Sequence, residues 1–336
     1  MRRYLTIIVV MLIGIASCQH KDLCYDHRDH AYRYYIDVKA DYRCDWEECC
    51  GGPNWQEEWP ENYIPYDDLR PEYPEGLRVV AYNEAGENNI HNIKPEGGVI
   101  TLFEGPNDLM FYNNDTEYII FSRNGATTRA TTRTRTRTRY EGNKYANNEF
   151  EPTLSPPDML YASYYEDYVP EKVIDPVDFE VTLQPLVYTY KIRYEFKEGL
   201  KYVAMAQGAL TGMAASVLLN TGETSTDVAS LLYDCEVTDY GVRAIVNSFG
   251  VPGFPHPNYP TRNENKHGLT LDVLLRNGRD TIMEFDVTDQ VNAQPHGGVI
   301  VVKDLSIPEE LGQQGSGAFD VEVDDWGEYE NVELPL

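Results

Sequence analysis

Tyr188-Thr-Tyr-Lys-Ile-Arg-Tyr-Glu-Phe196 alternates large apolar residues with smaller or charged ones along its whole length. A two-residue period sends alternate side chains to opposite faces of an extended chain, so this run reads as a half-buried β-strand. The same period recurs outward in both directions. Tyr32, Tyr34, Ile36, Val38, Ala40 and Tyr42 share one face of a first strand, with Arg33, Asp37, Lys39 and Asp41 mostly opposite. Short runs follow at Leu77–Tyr82, Gly98–Phe103, Leu109–Tyr112, Tyr118–Phe121 and Val177–Leu183, punctuated by Gly, Pro, Asn and Asp. Downstream, Leu269–Leu275 and Thr281–Val287 flank Arg276-Asn-Gly-Arg279, and an Asn-Gly pair between such runs signals a tight hairpin. Val299–Lys303 and Phe319–Asp324 supply two more strands. Leu160–Tyr168 is the exception, an aromatic stretch that reads as a short helix. Evenly spaced short strands predict an all-β chain of sandwich type. A break at Gln184–Leu186 before the quoted run divides it into residues 18–184, which include a long irregular loop at 45–74, and residues 185–336.

The chain has 336 residues, enough for two cores, and its acids outnumber its bases 55 to 28 for a net charge of −27. Such a field repels phosphate backbones and anionic lipid surfaces, which excludes nucleic acid as a partner. With 42% hydrophobic and 25% charged residues the chain has the makings of a folded protein. Its 26 tyrosines suit sheets and wet binding surfaces.

Arg2 and Arg3 precede the apolar stretch Tyr4–Ala16, too short to span a bilayer that needs ~20 residues. The stretch ends Ile15-Ala-Ser-Cys18, which resembles the lipobox of bacterial lipoproteins. Residues 1–17 are therefore expected to be a signal peptide, with Cys18 acylated and the chain held to a membrane by lipid, not by a spanning helix. Lys21-Asp22, just after that cysteine, resembles a surface-export signal. Five further cysteines, Cys24, Cys44, Cys49, Cys50 and Cys235, allow two bridges at most. The Cys44–Cys50 cluster lacks the C-x2-C spacing of structural zinc sites, so no metal is expected, and a disulfide from Cys24 to that cluster is the simpler reading.

No H-E-x-x-H, G-x-S-x-G, Walker loop or G-x-G-x-x-G pattern is present, so neither catalysis nor a cofactor is expected. Gly208-Ala-Leu-Thr-Gly-Met-Ala214 is not followed by G-K-[ST] and suits close backbone packing instead. Thr131–Arg139 places Arg133, Arg135, Arg137 and Arg139 on one face and threonines on the other, which predicts a polar, exposed edge or loop. Trp46, Trp55 and Trp59 cluster in the acidic loop, where they either pack on the first domain or form a ligand patch.

Cys18-Gln-His-Lys-Asp-Leu-Cys24 with Asp26-His27, Pro95-Glu-Gly-Gly98, Tyr112-Asn-Asn-Asp-Thr-Glu117, Gly208–Ala214, Phe285-Asp-Val-Thr-Asp-Gln-Val291 and Val323-Asp-Asp-Trp326 run through nearly all of the mature chain. This ordered set resembles the fimbrillin-like lipoproteins of Bacteroidetes. The resemblance implies two tandem transthyretin-like Greek-key β-sandwiches, an outer-membrane lipid anchor, surface exposure and a non-enzymatic part in pili and adhesion. It also implies partners, namely other fimbrial subunits joined by strand exchange after an Arg-directed cut removes an early strand. Arg43, at the end of the strand Tyr32–Tyr42, is the expected cut, and Phe319–Val323 the expected donor strand. The alternative function is a surface carbohydrate-binding lipoprotein using exposed Tyr and Trp to bind a host or bacterial glycan.

Overall fold

A computed structural model describes residues 32–43, 71, 73–148, 151–254 and 265–313. Its first half contains β1 (Arg33–Tyr42), β2 (Leu77–Asn83), β3 (Asn88–Ile93), β4 (Gly97–Thr101), β5 (Asn107–Asn113), β6 (Ile119–Ser122) and β7 (Arg129–Thr132). The chain then forms β8 (Thr153–Leu154), β9 (Tyr161–Tyr168), β10 (Lys172–Val173) and β11 (Val177–Pro185). The quoted run becomes β12 (Tyr188–Glu198), followed by β13 (Val203–Ala214), β14 (Ser216–Leu218), β15 (Val228–Thr238) and β16 (Gly241–Ser248). The hairpin β17 (Gly268–Leu275) and β18 (Asp280–Asp286), the helical turn α1 (Thr288–Asn292), β19 (Gly298–Ser306) and the turn α2 (Glu309–Gln313) complete the described chain.

Two curled sheets of eight strands result, with a small third sheet ordered β14-β7-β6. The first runs β10-β1-β11-β9-β5-β2-β3, with β4 also on β1; the second runs β18-β17-β13-β15-β16-β12-β19, with β8 also on β15. In each, the first long strand lies parallel to the last: Ile36–Tyr42 against Val177–Leu183, and Tyr190–Tyr194 against Gly298–Val302. Parallel closure needs a long crossover, and the intervening strands provide it. The all-β expectation holds, as do the two sandwich cores. One buries Ile36, Val38, Leu77, Val79, Phe111 and Leu183, and the other Tyr190, Ile192, Tyr194, Leu231, Leu271 and Ile300.

The fold corrects two expectations. Leu160–Tyr168 contains no helix; Tyr161–Tyr168 is strand β9, paired with β5 and β11. Its alternation is hidden because both faces are apolar: Tyr161 enters the first core, while Leu160 and Ala162 enter a third cluster with Met110, Tyr112, Ala130, Val217 and Phe249. That cluster joins the halves. β7 pairs with β14, and β8 runs parallel to β15, so residues from before position 184 build part of the layer beside the second sheet.

The second correction concerns Thr131–Arg139. Thr131 and Thr132 finish β7, after which Arg135 donates its backbone N–H to Thr153 O at 3.0 Å and Ser155 N–H reaches Arg133 O at 2.8 Å. At Arg135 and Arg137 the face expected to be exposed is turned inward, while Arg139 stays exposed. Arg135 and Arg137 keep only 13% and 8% of their side chains accessible. Arg135 donates to Leu232 O at 2.8 Å and pairs with Asp234 at 2.9 Å; Arg137 donates to Gly208 O at 3.2 Å and Tyr233 O at 3.0 Å. An arginine stem covers apolar sheet while its guanidinium satisfies several acceptors at once, so a polar run can lie flat as an arm across a sheet. Thr134, Thr136 and Thr138 take the solvent side.

Candidate functional site

β1 occupies a groove between β4 and β11. Its inward side chains are set by the two-residue period, and Ile36 and Val38 are each 1% exposed. On one side Tyr35–Lys39 pair antiparallel with Thr101–Gly97, and Leu102 N–H reaches Tyr34 O at 2.8 Å. At the far end Tyr42 Oη donates to Pro95 O at 2.9 Å, and its ring meets Tyr161 and Tyr73 edge-on at 5.5 and 6.0 Å. Gly97 makes the approach possible. It has φ +121°, and a Cβ there would stand 1.9 Å from Val38 O.

The second sheet repeats this clasp. Pro95-Glu-Gly-Gly-Val-Ile100 recurs as Pro295-His-Gly-Gly-Val-Ile300. Tyr190 Oη donates to Gln294 O at 2.9 Å, and a Cβ on Gly297 (φ +86°) would stand 2.5 Å from Thr189 O. Only the first of the two motifs was singled out from sequence; the signal that finds the second is the recurrence itself.

Arg43 follows β1 directly. Its N–H still reaches Leu183 O at 3.1 Å, whereas its residue surface is exposed. The expected cut therefore falls on the accessible end of a strand whose other residues are built into a sheet. Cys18, Cys24, Cys44, Cys49, Cys50, Trp46, Trp55, Trp59 and the expected donor Phe319–Val323 lie outside the described residues. Cys235 is a free thiol, its pKa pushed up by burial beside Tyr194 and Tyr233.

The segment that follows the arm lines an open cavity of about 680 Å³, with Tyr140, Asn143, Asn147, Glu151, Ser230 and Glu284 among its walls. Much of this lining is already engaged. Glu151 accepts from Asn147 N, Gly212 N and Ser230 Oγ; Asn143 bonds Thr270 Oγ1 and Tyr145 N; Tyr140 Oη donates to Ser230, and burial pushes its pKa up to about 12. Such a network fixes the segment after the arm to β13, β15 and β17. Asp272, 4% exposed, has its carboxyl pKa raised by burial, an effect offset in part by the charges of Arg139 and Arg137. Among the described residues no group of three or more His, Cys, Asp or Glu is placed to hold a metal ion.

Residues 66–234 match the profile of a family described as a domain of unknown function, DUF5119. A protein of Bacteroides ovatus provisionally named fimbrium anchoring subunit Fim4B is 23% identical over 304 residues, covering 81% of this chain and 88% of that one. The crystal structure of a protein from Bacteroides ovatus, provisionally described as an adhesin, superposes with TM-score 0.55 at 20% identity, covering 83% of this chain and 96% of that one. At that identity the likeness is one of fold.

Proposed function

The chain belongs to the DUF5119 family, and on that premise we propose that it is a non-enzymatic fimbrial component displayed at the cell surface. Acyl chains on Cys18 hold its precursor to the outer membrane until the chain is cut, and two units divided near residue 185 form its body. The observation that carries the fimbrial reading is the relationship to a fimbrium anchoring subunit along 81% of the chain. The seating of β1 supports how it joins other subunits. A cut after Arg43 frees the strand that separates β4 from β11, leaving unpaired backbone and an apolar groove over Val181, Leu183 and Ile100. Burial of that groove by a neighbour's strand drives assembly.

Peptide mapping of the surface form by mass spectrometry, with and without reductant, tests both ends of this reading. The expected precursor begins at an acylated Cys18, and the assembled form begins at residue 44. Arg43→Gln should leave stability within ~0.5 kcal/mol, as for other exposed positions, yet retain β1 and abolish SDS-resistant ladders. A wild-type protein that starts at Cys18 throughout while still forming ladders overturns strand release. An unacylated Cys18 overturns the anchor.

A further inference from the structure

β19 ends the second sheet: β12 lies along one side and no other described strand along the second. An edge of this kind presents a row of backbone donors and acceptors that readily templates another strand. Here its first two outward positions are already filled. Val299 N–H donates to Gln294 Oε1 at 2.9 Å, and Gln294 Nε2 donates to Val299 O at 3.0 Å. Val301 N–H donates to Gln290 Oε1 at 2.9 Å, and Gln290 Nε2 donates to Val301 O at 3.1 Å.

A primary amide offers the same donor and acceptor pair as a peptide group. Residues four apart on a helical turn stand ~6 Å from each other, close to the ~6.6 Å between alternate residues of a strand. Gln290 on α1 and Gln294 just past its end therefore reproduce the hydrogen bonding of a neighbouring strand. The turn is held in place: Val291 is fully buried in the second core, Thr288 N–H reaches Asp286 at 3.0 Å, and Gln294 Nε2 also donates to Gln290 O at 2.9 Å. Just past the sealed stretch Asp304 has φ +61°, and the pairing with β12 shifts register between Tyr194 and Phe196, so the regular edge ends there.

We propose that Gln290 and Gln294 seal the β19 edge of the second sheet against strand addition, so that this side neither pairs with a second copy nor accepts a strand from another subunit. The seal stands on its own bonds and does not depend on the fimbrial reading.

Sedimentation velocity on the full chain and on Gln290→Ala/Gln294→Ala tests it. The double variant should gain a dimer that wild type lacks at the same concentration, and adding Val301→Pro, which deletes an outward N–H that an edge strand can spare, should remove that dimer. A folded double variant sedimenting as wild type does overturns the proposal. Should the double variant not fold, amide exchange gives the answer. In wild type the Val299 and Val301 amides should exchange at least ~100-fold more slowly than open edge amides. Gln290→Ala should release Val301 alone. Fast exchange of both in wild type overturns the seal.

Discussion

β1 and β12 are held by the same device and differ in what surrounds it. Each is the first long strand of its sheet, each runs parallel to that sheet's last strand, and each is met by a Pro-x-Gly-Gly segment, a tyrosine hydroxyl donating to Pro95 O at the end of β1 and to Gln294 O near the start of β12. β12 is fastened at both ends, arriving within three residues of β11 and leaving through a short turn into β13. Its sheet is further closed by two glutamine amides on β19 and by an arginine arm across β13 and β15. β1 instead ends on an exposed arginine. β12 is thus fixed by chain on both sides, whereas release of β1 would require the proposed cut after Arg43.

The largest effect should come from the clasps themselves. Gly97→Ala forces a side chain into φ +121° with its Cβ against Val38 O, and Gly297→Ala meets Thr189 O in the same way. Left-handed strain together with a backbone clash should cost about 4 kcal/mol at Gly97 and somewhat less at Gly297. Amide exchange should show Ile36–Tyr42 opening in the first variant and Tyr190–Tyr194 in the second. If both strands open together in either variant, the clasps do not act locally.

Acid should separate the sheets next. His267 is fully buried at the start of β17, and burial lowers its pKa from 6.5 to about 4; His296, also in the second half, is lowered for the same reason. The unfolded chain takes up a proton near pH 6.5 that the folded chain refuses until about pH 4, so stability is full above that window and falls as pH drops through it. Between pH 7.5 and 4.5 wild type should lose about 2.5 kcal/mol more than His267→Gln in urea unfolding, with the second core loosening first. Equal losses would remove His267 from the acid response.

The smallest effect is on the arm. Arg137→Met keeps the apolar stem and deletes bonds to Gly208 O and Tyr233 O, at a cost of about 2 kcal/mol in thermal unfolding. Trypsin should then cut at Arg135 or Arg139 in the folded variant and spare the same bonds in wild type. Identical digestion would mean that the arm is held by the tyrosine and glutamate network of the segment that follows it.

Much of this architecture is legible in the residues. Tyr190, Ile192 and Tyr194 fall on one buried face as their spacing demands, and the Asn-Gly turn forms with Gly278 at φ +80°. Strands with one wet face advertise themselves, since water enforces the alternation. β9 did not, because its two faces enter two different apolar clusters and its exposed residues, Glu166 and Asp167, come together at the far end instead of alternating. The Thr-Arg run failed for the opposite reason. Its period of two is real, but which face turns inward depends on carbonyls and an aspartate supplied by β13 and β15, which lie about 70 to 100 residues away.

By itself, then, the sequence determined the local items: the strand period, the tight turns, the glycines that permit close approach and the acidic balance. These depend on a residue and its near neighbours, where sterics and solvent exposure act directly. The tertiary structure alone decided that an arginine face is an inner face, that residues before 184 belong to the layer beside the second sheet, and that Gln290 and Gln294 stand where a strand would. Each of those rests on hydrogen-bond partners distant in the chain or on another element. A buried donor or acceptor must be satisfied by whatever the fold brings beside it.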